Sequence, residues 1–273
     1  MRRASIFSAA VAALAVAVAG QADAQVSPIA VTGWNHDMVI NHPAPFDASV
    51  TGTMDGGFNQ VENQAWVEEG LYTVWDGSMG VPDTFVEGLV AGTHSSLTGN
   101  GTFEFQDFSS NNVVGLDGGQ SGTLTLDSPA AYSSIALYGA SGFGAKTADV
   151  LLTFADSSTT LLQVASGTGI GTDWFNTNAD KAFEAKGRAS NKSEEGYTIL
   201  FYQQNDIIGI NESYFTLSAA DQAKALTSVT ITNTGGDRMA VFAISGQPVP
   251  EPATLVLVGI GSLTAVGLRR RLV

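Results

Sequence analysis

Short runs of alternating apolar and polar residues, cut at close intervals by Gly, Asn and Asp, restrict this chain to strands. In Thr102-Phe103-Glu104-Phe105, the two rings fall on one side and Thr102 and Glu104 on the other. Val150, Leu152 and Phe154 share a face in the same way, as do Ile135 with Leu137 and Val229 with Ile231. A period of two is the signature of a strand with one buried face. Residues 239–245 and 197–203 are more continuously apolar and predict central strands covered on both sides.

The punctuation agrees. Asp55-Gly56-Gly57, Asp76-Gly77, Gly99-Asn100-Gly101, Asp117-Gly118-Gly119 and Gly235-Gly236-Asp237 supply residues that tolerate positive φ, and Asp156-Ser157-Ser158 predicts a hairpin loop. Helix signal is confined to one short segment, where Ser218 precedes Ala219-Ala220-Asp221 as an N-cap. Residues 175–193 hold Lys181, Lys186, Arg188 and Lys192 among Asn, Ala and Gly, and predict a long exposed loop. The expected fold is all-β, a single jelly-roll-like β-sandwich over residues 25–247.

Both ends differ from this body. Met1-Arg2-Arg3 precedes an apolar run, and Ala22-Asp23-Ala24 forms an A-x-A cleavage site, so a signal helix over residues 1–24 and a mature start at Gln25 are expected. The run is shorter than the ~20 residues a membrane span needs, which argues against an N-terminal anchor. At the other end, Val249, Pro250, Glu251 and Pro252 lead into an apolar stretch over residues 253–268, followed by Arg269, Arg270 and Arg271. As a helix that stretch would reach about 24 Å, marginal for a hydrocarbon core of about 30 Å. The arginines would act as a stop on the cytoplasmic side. Residues 248–273 are therefore expected to be a tail with a transmembrane helix, separate from the folded body.

The order of Pro-Glu-Pro, apolar span and Arg cluster resembles the PEP-CTERM sorting signal of Gram-negative bacteria that make an exopolysaccharide matrix. The resemblance implies an exosortase, a membrane cysteine transpeptidase, as the processing partner acting at or near Pro250-Glu251-Pro252, with the secretion translocon upstream. A plain C-terminal anchor is the alternative. The body is also loosely similar to other PEP-CTERM ectodomains, through Leu137-Tyr138, Asp173-Trp174-Phe175, and the strand-like blocks at 228–233 and 243–245. That likeness implies a non-catalytic sandwich.

Charge limits the partners. Of 26 acidic and 12 basic residues, one and five lie outside residues 25–252, so that segment carries about 18 net negative charges. Such a surface repels nucleic acid, and it repels acidic polysaccharide unless divalent cations bridge the two. The chain has no cysteine, which removes thiol chemistry and Cys-based metal sites.

Few constellations point to chemistry. Residues 139–147 look superficially like a phosphate-binding loop, but Ala145 separates the last Gly from Lys146, and a hairpin loop is the expectation. His36, His42 and His94 do not fall at metal-ligand spacing. Glu68 and Glu69 lie near Trp66, Tyr72 and Trp75, yet adjacent strand residues face opposite ways, and no Gly-x-Ser-x-Gly is present. No enzyme and no cofactor is expected, although the acidic loops could hold a structural calcium. An aromatic sugar platform is the alternative, with Trp174 and its neighbour Asp173 as the glycan contact and Trp34, Trp66 and Trp75 as further candidates. A glycan-active enzyme is the weakest reading. The expected role is an exported, non-enzymatic surface or matrix protein associated with extracellular polysaccharide.

Overall fold

A computed structural model describes residues 25–41, 51–55, 64–75, 80–175, 180–190 and 202–249. Over these residues the alternating runs become strands of two large antiparallel sheets. The six-stranded sheet runs β1 (Ser27–Pro28), β19 (Arg238–Pro248), β11 (Tyr132–Gly142), β17 (Gly209–Thr216) and β14 (Lys181–Glu184), with β9 (Val114–Asp117) also paired to β19. The five-stranded sheet runs β13 (Thr159–Val164), β12 (Ala148–Phe154), β18 (Leu226–Asn233), β10 (Ser121–Ala130) and β2 (Val31–Thr32). From β10 to β19 the long strands β10, β11, β12, β17, β18 and β19 alternate between the two sheets. The β12–β13 hairpin stays within the five-stranded sheet, and β14 and β17 both lie in the six-stranded one. Its loop is the expected one: Asp156 Oδ1 accepts from Ser158 N at 2.9 Å, and Ser157 takes φ 65°.

The predicted inward residues meet between the sheets. Val150, Leu152, Val229 and Ile231 from one side pack with Ile135, Leu137, Met239 and Val241 from the other. The protein is thus a β-sandwich, but with more than two layers. The opposite face of β11 and β19 carries Ala136, Tyr138, Ala240 and Phe242, which pack with Trp66, Phe103, Phe105 and Trp174. Phe103 and Phe105 come from β8 (Thr102–Phe105), paired with β7 (Gly92–Ser95). Trp66 lies in a smaller sheet of β16 (Tyr202–Gln204), β15 (Gly187–Ser190), β4 (Gln64–Val67) and β3 (Val39–Ile40). Coverage on both faces explains why residues 239–245 are apolar without alternation. The pair β5 (Gly70–Trp75) and β6 (Gly80–Val86) adds a small cluster of its own around Tyr72 and Val86.

Between β17 and β18 the chain makes one short helix, α1 (Ala219–Gln222), whose cap is the expected one: Ser218 Oγ accepts from Asp221 N at 3.2 Å.

Three expectations are corrected. Residues 175–193 are not one exposed loop: β14 and β15 lie within them, and Ala182, Ala185 and Ala189 are buried. The bases there misled for two reasons: Lys181 keeps its head group at the surface while its backbone pairs, and Arg188 turns its guanidinium onto Phe175 and Asp55. Residues 139–147 are not a hairpin loop, since Gly139 to Gly142 belong to β11 and the remainder crosses to the other sheet. Of residues 197–203, only Tyr202 and Gln203 are described; they are half-buried in β16, at one end of the small sheet.

Candidate functional site

Trp174 is placed by a parallel bridge between Ser141 and Asp173, which turns the next side chain inward. The ring is 1% exposed. It meets Trp66 edge-on at 4.7 Å, and the Arg188 guanidinium lies 5.5 Å from its centroid. Its Nε1 donates to Asp55 Oδ1 at 3.3 Å. Asp173 beside it accepts from Gly144 N and, at 2.7 Å, from Phe175 N. This corrects the glycan-contact expectation for the pair: a ring packed on both sides cannot stack on a sugar, and the carboxylate is occupied by backbone. Trp66 is fully buried and Trp34 is half-buried against the core, while the side chain of Trp75 lies outside the described residues.

Two of the histidines also contact the fold. His36 Nδ1 lies 3.2 Å from Thr51 Oγ1, and His94 Nε2 lies 2.7 Å from Val90 O. Tyr72 donates its hydroxyl to Glu68 O at 3.0 Å. Among the described residues, no three of His, Asp and Glu gather as a metal site. His42 lies outside them.

Two buried carboxylates were not foreseen. Glu212, on β17, is 4% exposed and accepts from Ser96 Oγ at 2.6 Å, Thr98 Oγ1 at 2.8 Å and Asn100 Nδ2 at 2.6 Å. It forms part of the wall of a cavity of about 420 Å³, with Asp180, Gln163, Tyr214 and Phe215. Asp37 is 3% exposed, and burial pushes its carboxyl up to about 7, against the pull of hydrogen bonds from Asn112 and Val39 N. Nothing local in the sequence marks either one, because their side-chain partners lie more than seventy residues away.

The termini have their own geometry. Gln25 is the first described residue, and its Nε2 donates to Gly99 O at 3.0 Å. Ser27 pairs with Gly246 and Pro28 with Ser245, so the described chain begins and ends at the same end of the six-stranded sheet. Val249 N still donates to Ala131 O at 2.9 Å, so the sheet holds the chain up to the residue before Pro250. The cleavage residues Ala22 and Ala24, and the tail residues Pro250, Glu251, Pro252, Arg269, Arg270 and Arg271, lie outside the described residues.

No curated protein matches the chain. Among solved structures, it is similar to the NMR solution structure of the single-strand break repair protein XRCC1 N-terminal domain, at 12% identity and a TM-score of 0.24. That similarity covers 69% of this chain and 99% of the other. The family model for the PEP-CTERM protein-sorting motif matches residues 248–271, beginning on the last residue of β19. This chain therefore carries a PEP-CTERM protein-sorting motif, the mark of an exported protein handled by exosortase-type sorting.

Proposed function

We propose that this protein is a non-enzymatic component of the cell surface or extracellular matrix, associated with exopolysaccharide, whose jelly-roll-like body is the delivered cargo. Its N-terminal segment directs it through the secretion translocon and is removed before Gln25. The tail then holds it briefly in the inner membrane, with Arg269, Arg270 and Arg271 on the cytoplasmic side. Exosortase processes it at or near Pro250-Glu251-Pro252.

The observation that carries this reading is the sorting motif at residues 248–271, joined to β19 without an intervening linker. The surface charge fits as well, since about 18 net negative charges keep an exported body soluble and away from nucleic acid.

Replacing Pro250, Glu251 and Pro252 together with alanine tests the reading in the producing cell. Full-length precursor should accumulate in the inner-membrane fraction, and the surface and matrix fractions should lose the protein. Normal delivery of that variant would remove the basis of the proposal.

A further inference from the structure

The five-stranded sheet ends on an uncovered strand. β13 pairs with β12 and with no other strand. Phe154 N donates to Ser158 O at 3.0 Å, which makes those two a bonded pair, and bonded pairs alternate along an antiparallel hairpin. Thr160, Leu162 and Val164 therefore spend their backbone groups on β12, while Thr159, Leu161 and Gln163 turn theirs away from it. These three are exposed, Leu161 at 53%. Among the described residues, no backbone hydrogen bond from beyond the hairpin reaches them.

The other outer strands of the two large sheets are blunted. β1 and β2 have two residues each, and β14 carries Lys181 and Glu184. Short or charged edges resist pairing with another chain. β13 reads Thr-Thr-Leu-Leu-Gln-Val, six residues without a charge or a proline.

We propose that β13 is the edge through which two copies of this chain pair, antiparallel and about a two-fold axis at Leu161, into one continuous sheet. The inference does not depend on the sorting route or the matrix role proposed above.

The strand is complementary to itself. About that axis Leu161 opposes Leu161 of the second copy, and Thr159 opposes Gln163 of the second copy. All of these turn their backbone groups outward, so each opposed pair exchanges two hydrogen bonds. The side chains select the same partner. Leu161 stands beside Leu151, and their row continues across the sheet through Thr230 and Thr123. The apolar half of this row lies at the open edge and the hydroxyl half lies away from it. A two-fold operation sets leucine against leucine and buries the exposed half-row in its own copy.

Charge permits the contact although the body is strongly acidic. Asp149, which accepts from Gln163 Nε2, sits one strand further in. The proposed register keeps it about 20 Å from Asp149 of the second copy, beyond a screening length of about 8 Å. Asp221, which accepts from Thr160 Oγ1, is already paired with Lys224 at 3.3 Å. One pair of short strands is smaller than a standard interface, so the dimer dissociates on dilution.

The test uses the full-length chain in detergent. Sedimentation velocity should show the wild type passing from monomer to dimer as concentration rises. Leu161→Lys sets two like charges against each other at the axis. It should weaken association by about tenfold or more. Its melting temperature should be unchanged at a dilution where the wild type is monomeric.

The chain has no cysteine, so single cysteines report the register under oxidation by diamide. Leu161→Cys should form a covalent dimer, because opposed bonded residues have Cα atoms about 5.5 Å apart, within disulfide reach. Thr159→Cys alone places its two thiols about 13 Å apart along the strands and should not. Thr159→Cys mixed with Gln163→Cys should cross-link.

A wild type that stays monomeric at every concentration overturns the proposal, as does equal cross-linking of the single-cysteine variants. Association that survives Leu161→Lys also overturns it and places the contact elsewhere, the apolar tail included. Protection of Leu161→Cys from a thiol reagent in the producing cell, without covalent dimer, would give the edge to a strand of another protein.

Discussion

Asn112 Nδ2 donates to Asp37 Oδ1 at 2.7 Å, with Asn112 fully buried and Asp37 only 3% exposed. The same amide accepts from Met38 N through its oxygen at 3.1 Å, so one side chain fastens both a carboxylate and the backbone leading into β3. The donors that reach Asp37 are neutral, and burial outweighs them in setting its protonation.

That balance predicts a stability profile. Asp37 has a folded-state pKa of about 7 against an ordinary 3.8. Between these values the folded state binds a proton that the unfolded state has released, so stability falls as pH rises from about 4 to about 7 and is level above that. From pH 5 to pH 8 the contribution amounts to about 2–3 kcal/mol. His36 beside it works in the opposite sense, because burial lowers its pKa. Comparison of the wild type with Asp37→Asn isolates the carboxylate. Urea midpoints should fall more steeply with pH in the wild type than in the variant, which keeps the acceptor for Asn112. Parallel profiles would show that Asp37 is ionised in the folded protein throughout.

Trp174 predicts a large loss. Its ring fills space among Trp66, Arg188 and the core cluster of the third layer. Trp174→Ala should cost about 3–5 kcal/mol in urea unfolding. A variant that keeps wild-type stability would contradict the packing described for it.

How far the sequence could be read follows from how local each signal is. Phe103 with Phe105, and Val150 with Leu152 and Phe154, declare their face within a few residues, and Ser218 declares its cap to the residue three places on. Trp174 could not be read in this way, because what covers it comes from Trp66 and Arg188, on other strands, with Phe242 packed against Trp66 in turn. Residues 181–190 were obscured by their own charges. Arg188 suggests solvent by type, yet its guanidinium lies 4.4 Å from the Phe175 ring and 3.0 Å from Asp55.

Glu212 pins the β7–β8 turn from the neighbouring layer. Three neutral donors from Ser96, Thr98 and Asn100 converge on it. Bonds to a charged acceptor are worth about 1.5–3 kcal/mol, and removing the acceptor leaves Ser96, itself 6% exposed, without it. Glu212→Ala should therefore lower stability by about 2–3 kcal/mol and free the turn. Limited proteolysis should report this as faster cleavage next to Leu97, which is 63% exposed at the turn. Unchanged cleavage with lowered stability would place the loss elsewhere.

Arg238 opens β19 with its side chain 4% exposed and Nε 3.1 Å from Asp117 Oδ1 on the adjoining β9. Another of its guanidinium nitrogens donates to Thr53 O. Burial pulls its pKa below the usual guanidinium value while Asp117 opposes the shift, so the charge is retained and must be balanced. The asymmetry of buried ion pairs then orders three variants. Asp117→Ala removes the nearest carboxylate and leaves Asp55 and Asp237 to face the cation, so it should cost less than the ~3–5 kcal/mol of a broken fully buried pair, the more so because the Asp117 side chain is 40% exposed. Arg238→Met removes the charge, keeps the volume, and should cost less. Adding Arg238→Met to Asp117→Ala should recover part of the loss, a coupling readable as a rise in urea midpoint of the double variant over Asp117→Ala. Simple additivity of the two losses would mean that the pair contributes nothing to holding β9 against β19.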